Sequence, residues 1–349
     1  MATPNEYPRL AVTMGDSAGV GPEVIVRSWS DPRVHEFCSP VVLGHPEVMR
    51  RAIQLVGARC QVEEVTIDEL DDQPSTPDTL RCLAVADDNL LEVPHGTIDG
   101  RTGQAAYDAI VRAIDETLAG NFQAIVTAPI SKAALHTAGH PYPGHTELLA
   151  ERCGVRDFAM MLYLPPSEVP HSPAGLGVVH VTLHMALRDV FSHLDAETIA
   201  ANCRLADRVM CGGFGLAEPR IGVCALNPHA GENSLFGNEE TRLIAPAVEQ
   251  AHADGINVAG PFPADTLMGR ARDGEFDAIV AMYHDQGHIA LKLLGMHRAV
   301  NITLGLPIIR TSVAHGTAFD RAWQGTAEAS GMVAAIVTAA QLASRQYSG

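Results

Sequence analysis

Three histidines stand where apolar runs of the chain end, and they are well suited to binding a metal ion. They are His184, His229 and His284. Because a parallel sheet presents ligand-binding side chains at the carboxyl ends of its strands, the three imidazoles are predicted to lie at one sheet edge. Three neutral imidazoles with an open fourth position suit a catalytic divalent cation such as zinc. Each histidine taken alone is more typical of a hydrogen-bonded loop residue, and the repetition favours the metal site.

A second set of residues offers hydrogen-bond donors and positive charge to an anion. His145 and Thr146 stand at a predicted helix start, and Lys292, Asn301 and Arg310 fall within one strand-rich stretch. A buried phosphate or carboxylate must be paired with such groups. Lys292 and Arg310 taken alone are more typical of solvated surface charges, so the prediction of an anion site depends on the set.

Two further features are open to more than one interpretation. Asp265 follows a proline-rich strand end and could be a general base, a carboxylate that holds a metal-bound histidine, or a helix N-cap, which is its most ordinary role. Gly15 and Gly19 lie in a turn between a strand and a helix, where the backbone can approach a ligand or pack closely. Their spacing matches neither a dinucleotide fingerprint nor a Walker loop. His315 lies in a small-residue loop that could contact a flat cofactor.

Short apolar runs alternate with longer amphipathic stretches, which predicts an α/β fold with a parallel sheet and crossover helices. The predicted strands are 10–14, 40–43, 124–127, 159–164, 177–183, 220–226, 277–282 and 300–304. One predicted helix begins at residue 22, and the others cover residues 104–119, 196–210, 239–253 and 326–346. Residues 63–79 are a predicted loop because they are acidic and contain two prolines, and residues 164–175 are a predicted loop because they contain four.

The composition narrows the possible functions. The chain has 349 residues, of which 46% are apolar, and its 24 basic and 41 acidic residues give a net charge of −17. This charge opposes binding to nucleic acids and to anionic membranes. No run of about 18 apolar residues is present, and residues 1–10 lack a signal-peptide pattern. We therefore expect a cytoplasmic protein with no nucleic-acid or membrane partner.

With these motifs the chain resembles the 4-hydroxythreonine-4-phosphate dehydrogenase family of vitamin B6 synthesis. The resemblance runs nearly end to end and is most specific at 143–147, 184, 227–232, 263–266, 283–287 and 301–310. It implies an α/β fold like that of isocitrate and isopropylmalate dehydrogenases, with two interlocked domains and the active site in the cleft. We expect residues 1–130 plus 300–349 to form the nucleotide-side domain, and 131–299 to form the domain of the metal and the dimer contact.

The resemblance also implies roles for particular residues and a homodimer with shared active sites. Its metal ligands are His184 and His229 of one subunit and His284 contributed across the dimer. Its contacts to a phosphorylated substrate are His145, Thr146, Lys292, Asn301 and Arg310. Asp265 and Lys292 are the candidates for proton transfer, and Gly15, Gly19 and His315 are weaker candidates for cofactor contacts. The implied cofactors are NAD or NADP and a divalent metal, either zinc or alternatively magnesium, cobalt or manganese.

The implied reaction is oxidation of a phosphorylated four-carbon 3-hydroxy acid with loss of carbon dioxide. The runs Met14–Ala18 and His284–Leu294 resemble a second branch of the family, which oxidises 4-phospho-D-threonate and 4-phospho-D-erythronate, so the substrate stays open. Ala314 and Trp323 depart from the family's usual residues and leave the choice between NAD and NADP open. A metabolite-sensing binding protein on the same scaffold is the non-enzymatic alternative.

Overall fold

The computed structural model describes residues 7–70, 73–345 and 347. The N-terminal residues 1–6, two residues of the predicted loop 63–79, and Gln346 at the predicted end of the last helix lie outside the described residues. The chain divides into two compact units. Unit 1 comprises the residues up to Arg156 and Leu306–Ser344, and unit 2 comprises Asp157–Gly305 together with Arg345 and Tyr347.

The strands and helices are labelled here in chain order. The strands are β1 (Arg9–Thr13), β2 (Ser39–Gly44), β3 (Gln61–Val65), β4 (Thr79–Ala84), β5 (Ala124–Thr127), β6 (Ala159–Leu164), β7 (Leu176–His180), β8 (Ile221–Cys224), β9 (Val258–Phe262), β10 (Ala278–Ala281), β11 (Val300–Leu304) and β12 (Ile309–Val313). The helices are α1 (Gly21–Trp29), α2 (Arg33–Glu36), α3 (Pro46–Val56), α4 (Gly100–Leu118), α5 (Lys132–Thr137), α6 (His145–Arg152), α7 (Leu187–His193), α8 (Ala196–Arg208), α9 (Ala245–Ala253), α10 (Ala264–Arg272), α11 (His284–Gly295) and α12 (Ser330–Ser344).

The sheet of unit 1 is parallel and has the strand order β3-β4-β2-β1-β5-β12. Its central strands β1, β2 and β5 are mostly apolar and are buried along almost their whole length, and Val12, Val42 and Val126 are fully buried. Such continuous apolar strands are typical of a parallel sheet that helices cover on both faces. The helices α4 and α12 pack against these strands, so the predicted βα alternation is confirmed here.

The sheet of unit 2 has the strand order β11-β6-β7-β10-β8-β9. The strand β6 runs antiparallel to both of its neighbours, so the expectation of a uniformly parallel sheet is wrong at this strand. The proline-rich segment between β6 and β7 contains no helix, and only antiparallel strands can be joined without a long crossover. The neighbours β7, β10, β8 and β9 are parallel to one another.

Most predicted elements are found close to their predicted positions, and β5, β6 and β11 have the predicted ends. The predicted loop 63–79 is wrong at both ends, because β3 and β4 reach into it. Sequence reasoning missed β3 because Glu63 and Glu64 interrupt its apolar pattern. Both are exposed on a strand at the sheet edge, where charged side chains discourage pairing with other chains. Among the described residues, no helix has the length and apolar character needed to cross a membrane.

The division into units differs from the expected domain boundaries. Unit 1 extends to Arg156 and not only to residue 130, because α5 and α6 pack against α4. The main segment of unit 2 ends at Gly305, a few residues beyond the expected 299. The assignment of one domain to the nucleotide and the other to the metal and the dimer stays a prediction.

Candidate functional site

The residues expected to form a metal site follow neighbouring parallel strands of unit 2. His184 follows β7, His284 follows β10, His229 follows β8 and Asp265 follows β9. These four strands are adjacent in that order in the sheet. All four side chains therefore leave the carboxyl edge of one sheet, where α/β proteins bind their ligands.

His184 and His284 lie beside each other, with ring centroids 6.0 Å apart. Both line an open hollow of about 540 Å³, together with Met185, Leu187 and Tyr283. The Nδ1 atom of His284 lies 2.7 Å from a carboxylate oxygen of Asp285. A carboxylate can only accept, so Nδ1 carries the hydrogen and Nε2 of the neutral ring is a basic nitrogen. This carboxylate–imidazole pair is the arrangement that orients metal-binding histidines.

His229 and Asp265 line a second hollow of about 520 Å³, which also includes Tyr283 and Asp285. The N-cap of α10 is Pro263, and Asp265 lies in the first turn of that helix without capping it. The interpretation of Asp265 as an N-cap is therefore wrong. Its carboxylate is exposed in the hollow that His229 also lines, where it could contact a bound ligand.

The loop that carries His229 has an unusual backbone. His229, Ala230, Glu232, Asn233 and Ser234 all have positive φ angles, and that of His229 is 53°. Strained conformations of this kind persist where surrounding contacts fix them, often at functional sites. One such contact is the buried carboxylate of Glu240, which accepts hydrogen bonds from the backbone of Leu226 and Asn227 at 2.9 and 2.7 Å. Sequence reasoning missed Glu240, since an acidic residue at a helix start is usually solvated.

The three histidines do not form a complete metal site within this one chain. In the part of the chain that the structure describes, no three His, Cys, Asp or Glu side chains are placed to hold an ion together. The donor chemistry still suits a divalent cation, because His284 presents Nε2 and lies beside His184.

Exposed apolar side chains follow each of these histidines in the sequence, and this set is named the apolar surface here. It comprises Met185, Leu187, Phe191, Leu235, Phe236, Ile289, Leu293 and Met296, with Leu293 82% and Leu235 71% exposed. Large apolar side chains clustered on a surface mark a contact with another molecule. The apolar surface was not predictable from the sequence, since each of its residues could have belonged to a core.

Two more histidines lie beneath the site and were not predicted. His180 at the end of β7 and His288 on α11 are both buried, and their ring nitrogens are 3.0 Å apart. Burial lowers the pKa of His180 to about 4 and that of His288 to about 3. Both rings are therefore neutral at physiological pH.

Unit 1 contains a buried cationic group among the predicted anion contacts. Arg310 on β12 is 2% exposed and donates a hydrogen bond of 2.7 Å to Thr127 Oγ1 on the adjacent β5. Burial lowers the pKa of its guanidinium to about 9, and the carboxylate of Glu147 offsets part of that effect. A guanidinium offers the planar donor geometry that matches phosphate and carboxylate groups, so this position suits an anionic ligand.

His145 lies close to Arg310 and begins α6, as predicted. Burial and the nearby charge of Arg310 lower its pKa well below the usual range, while a hydrogen bond to the backbone of Ala128 opposes that shift. The Nε2 atom is buried without a hydrogen-bond partner among the described residues, so the bond to Ala128 comes from Nδ1. Thr146 follows in the same helical turn, and the charge of Lys132, which sequence reasoning missed, acts on His145.

The other two predicted anion contacts, Lys292 and Asn301, belong to unit 2. Lys292 is half-buried on α11, and its positive charge acts on His288 one turn away. Asn301 is half-buried on β11, and its Oδ1 atom has no hydrogen-bond partner within the described chain. An orphaned buried amide oxygen is expected where a ligand supplies the missing donor.

The glycine-rich turn and the His315 loop lie against each other in unit 1. Val20 donates a hydrogen bond of 3.0 Å to the carbonyl oxygen of Thr317, and a Cβ atom at Gly19 would lie 3.0 Å from the same oxygen. Gly15 has a φ of 72°, and a Cβ atom there would collide with the carbonyl oxygen of Pro129. Backbone packing thus explains both glycines. His315 itself is exposed.

Asp16 in the same turn is a buried carboxyl that was not singled out from the sequence. It is fully buried, and one of its oxygens accepts a hydrogen bond from the backbone of Ala18 at 3.0 Å. The other oxygen has no partner among the described residues. Burial raises the pKa of Asp16 to about 6, against the opposing hydrogen bonds from Ala18 and Thr102.

The fold and these side chains define an α/β protein with polar and ionisable groups at the carboxyl edges of its parallel strands. The family model of the pyridoxal phosphate biosynthetic protein PdxA matches residues 36–339, and the chain belongs to this family. The resemblance inferred from the sequence is therefore confirmed.

Curated relatives with two different names match the chain over nearly its whole length. D-threonate 4-phosphate dehydrogenase of Pectobacterium atrosepticum is 45% identical over 96% of this chain and 99% of its own. The 4-hydroxythreonine-4-phosphate dehydrogenase of Geobacter metallireducens is 45% identical over 99% of this chain and 98% of its own. The crystal structure of 4-hydroxythreonine-4-phosphate dehydrogenase from Klebsiella pneumoniae aligns with a TM-score of 0.85, at 41% identity, over 96% of this chain and 99% of that one. The expected α/β fold class is confirmed.

Proposed function

We propose that this chain is a metal-dependent and NAD(P)-dependent dehydrogenase that oxidises a phosphorylated four-carbon 3-hydroxy acid with loss of carbon dioxide. The family membership and the names of the relatives support the class of reaction. One observation carries the proposal: the chain has a buried cationic group suited to an anion in unit 1, and it has imidazoles at the carboxyl edge of the sheet of unit 2.

The phosphate of the substrate is assigned to Arg310 and the groups around it. The guanidinium already has one donor engaged with Thr127, which fixes its orientation before a ligand arrives. His145 and Thr146 add an imidazole and a hydroxyl at the first turn of α6. A dianion is bound more strongly by such prearranged groups than by mobile surface lysines, because less rotamer entropy is lost on binding.

The divalent cation is assigned to His184 and His229 of one copy and His284 of a second copy. Zinc fits the imidazole ligands best, with magnesium, cobalt and manganese as alternatives. When bound, such an ion lowers the pKa of a coordinated hydroxyl group and polarises a carbonyl oxygen. The chain's own contribution is to orient the imidazoles, for His284 through Asp285 and for the His229 loop through Glu240.

Proton transfer is assigned to Asp265 and Lys292. Asp265 is exposed to the hollow that also holds His229, so its carboxylate can accept a proton from a substrate bound there. Lys292 lies on the same helix as His284, two turns further along, and can donate a proton or hold a carboxylate. Asn301 on β11 is assigned to a polar group of the same substrate.

NAD or NADP is the hydride acceptor in this proposal, and the nicotinamide ring supplies that chemistry. The turn Gly15–Gly19 and the loop of His315 are assigned to the dinucleotide, and the hydrogen bond from Val20 to Thr317 holds the two segments together. Neither feature distinguishes NAD from NADP.

A homodimer with shared active sites explains the apolar surface around the histidines. Its members follow the three proposed metal ligands in the sequence, so a molecule that covers them also reaches the metal site. A second copy of the chain is the partner that would complete the ligand set from the same three histidines.

The substrate is proposed from two candidates, 4-hydroxythreonine 4-phosphate and D-threonate 4-phosphate. Relatives of both names are 45% identical to the chain, so identity does not separate them. The run His284–Leu294 favours the second. The compounds differ at C2, where one carries an amine and the other a hydroxyl group.

Steady-state NADH or NADPH formation tests the proposal directly. The purified protein should be assayed with 4-hydroxythreonine 4-phosphate, D-threonate 4-phosphate, D-erythronate 4-phosphate and the non-phosphorylated acids, each with zinc, cobalt and magnesium. We expect turnover of at least one phosphorylated acid and none of its non-phosphorylated counterpart. Turnover of the non-phosphorylated acids alone would refute the assignment of Arg310 and His145.

A metal-content measurement separates the enzyme from a metabolite-sensing protein. We expect the wild-type protein to hold a divalent cation, and His229→Ala to lose it together with nearly all turnover while it stays folded. The matched control is His252→Ala, an exposed histidine on α9. A protein that binds the phosphorylated acids but holds no cation and has no activity with added metal would be a sensor.

A further inference from the structure

Four histidines cluster where β7 meets α11, and only two of them are proposed metal ligands. His284 and His288 are one turn apart on α11, and their rings stack with centroids 3.7 Å apart and an interplanar angle of 12°. His288 is 7% exposed, whereas the His284 side chain is 36% exposed. The buried ring of His288 thus packs against one face of the more exposed ring of His284.

The hydrogen bonds beneath this stack fix the orientation of each buried ring. His180 Nδ1 lies 3.4 Å from the carbonyl oxygen of Met160 and donates to it. His180 Nε2 of the neutral ring is then an acceptor, and His288 Nδ1 donates to it at 3.0 Å. The same His288 nitrogen lies 3.2 Å from the carbonyl oxygen of His284. These contacts therefore connect His284, through the buried rings of His288 and His180, to the carbonyl oxygen of Met160 on β6.

Glycine at position 287 is required for this contact. A Cβ atom there would lie 2.5 Å from His180 Nε2 and 2.6 Å from Val178 Cγ1. Any other residue would therefore push α11 away from β7 and separate the His180–His288 pair. The local sequence thus brings this pair together through one small residue.

We propose that His288 and His180 are positioning residues that hold the ring of His284 in the orientation needed to bind the cation. This inference rests on the proposed function, in which His284 is a metal ligand. The Asp285 carboxylate that also holds His284 has a side chain 68% exposed, so it constrains the ring less than the buried stack does. Groups that orient metal ligands in this way typically change metal affinity about 10–100-fold when they are removed.

The test is the affinity of the full-length protein for Co²⁺, measured by competition with a chromophoric chelator. We expect His288→Ala to weaken Co²⁺ binding about 10–100-fold. His288→Phe, which restores an aromatic ring beneath His284, should recover most of that loss. The control His252→Ala should bind Co²⁺ as the wild type does, and circular dichroism should show that each variant is folded.

The outcomes separate this inference from the proposed function. Wild-type affinity in His288→Ala would overturn the positioning role and leave the metal site intact. An affinity of His288→Phe as low as that of His288→Ala would overturn the role of the stacked ring. Absence of Co²⁺ binding in the wild type and in His252→Ala would overturn the metal site itself, and the inference with it.

Discussion

Replacing Arg310 with methionine should make the free protein more stable and abolish its binding of phosphate esters. Burial lowers the pKa of Arg310 from its usual 12.5 to about 9. At about 1.36 kcal/mol per pKa unit, keeping the guanidinium charged costs about 5 kcal/mol of folding free energy. Because the pKa is lower in the folded than in the unfolded chain, the full cost applies below pH 9 and declines only above it.

The net gain should be smaller than this cost. Arg310→Met also removes the hydrogen bond from the charged guanidinium to Thr127, worth about 1.5–3 kcal/mol. Replacing buried ion pairs by apolar side chains of similar volume is often neutral or stabilising by about 1–4 kcal/mol, and this range is the scale for the substitution. We therefore expect the free energy of unfolding to rise by about 1–4 kcal/mol at pH 7.5.

The assay is urea unfolding at fixed protein concentration, with and without inorganic phosphate. Phosphate should stabilise the wild type, since a ligand that binds only the folded state raises its stability, and should leave Arg310→Met unchanged. Arg81→Met is the matched control, because Arg81 is also 2% exposed but donates to the carbonyl oxygens of Glu69, Leu70 and Gln73. Its replacement should destabilise the protein and leave the phosphate effect unchanged.

Two results would refute this reasoning. A loss of stability in Arg310→Met as large as that in Arg81→Met would mean that Arg310 is a structural residue. An unchanged stabilisation by phosphate in Arg310→Met would mean that the anion binds elsewhere.

Three further predictions follow from other residues. Asp16→Asn should stabilise the protein by about 3 kcal/mol above pH 6 and by little below pH 4. The reason is that a carboxyl group with a raised pKa destabilises the folded state increasingly as the pH rises from 3.8 to about 6. Urea unfolding at a series of pH values measures this, and a difference in unfolding free energy between variant and wild type that stays constant with pH would contradict it. Leu293→Glu should yield a monomer in analytical ultracentrifugation and lose the bound metal, because it places a charge on the apolar surface. A dimer with normal metal content would show that the apolar surface is not the dimer contact. Lys132→Met should raise KM for the phosphorylated substrate several-fold with little change in kcat, and an unchanged KM would show that its charge does not act on the ligand.

Much of the fold follows from the sequence because the parallel strands are buried on both faces. The strands β5, β6 and β11 are uninterrupted or nearly uninterrupted apolar runs, so their ends were predictable. The edge strand β3 contains two exposed glutamates, so its sequence has no continuous apolar run that would predict a strand. The antiparallel direction of β6 depends on the proline-rich loop that follows it, and single runs of residues do not encode strand direction.

The site was predictable where a motif and a strand end coincide. His184, His229 and His284 each meet that condition, and the structure places all three at the carboxyl edge of one sheet. The supporting residues His180 and His288 were not predictable, because their contact depends on the packing of α11 against β7 through Gly287. The N-cap interpretation of Asp265 failed because the helix begins at Ala264, so that Pro263 is the N-cap and Asp265 lies in the first turn.

In the proposed enzyme, each active site combines His184 and His229 of one copy with His284 of another. The most direct test is the activity of a purified heterodimer in which one chain carries His229→Ala and the other His284→Ala. Each variant homodimer should be inactive, whereas the heterodimer should hold one intact site and show about half of the wild-type activity per dimer, as two-fold symmetry requires. A heterodimer no more active than the two variant homodimers would contradict the division of ligands between copies.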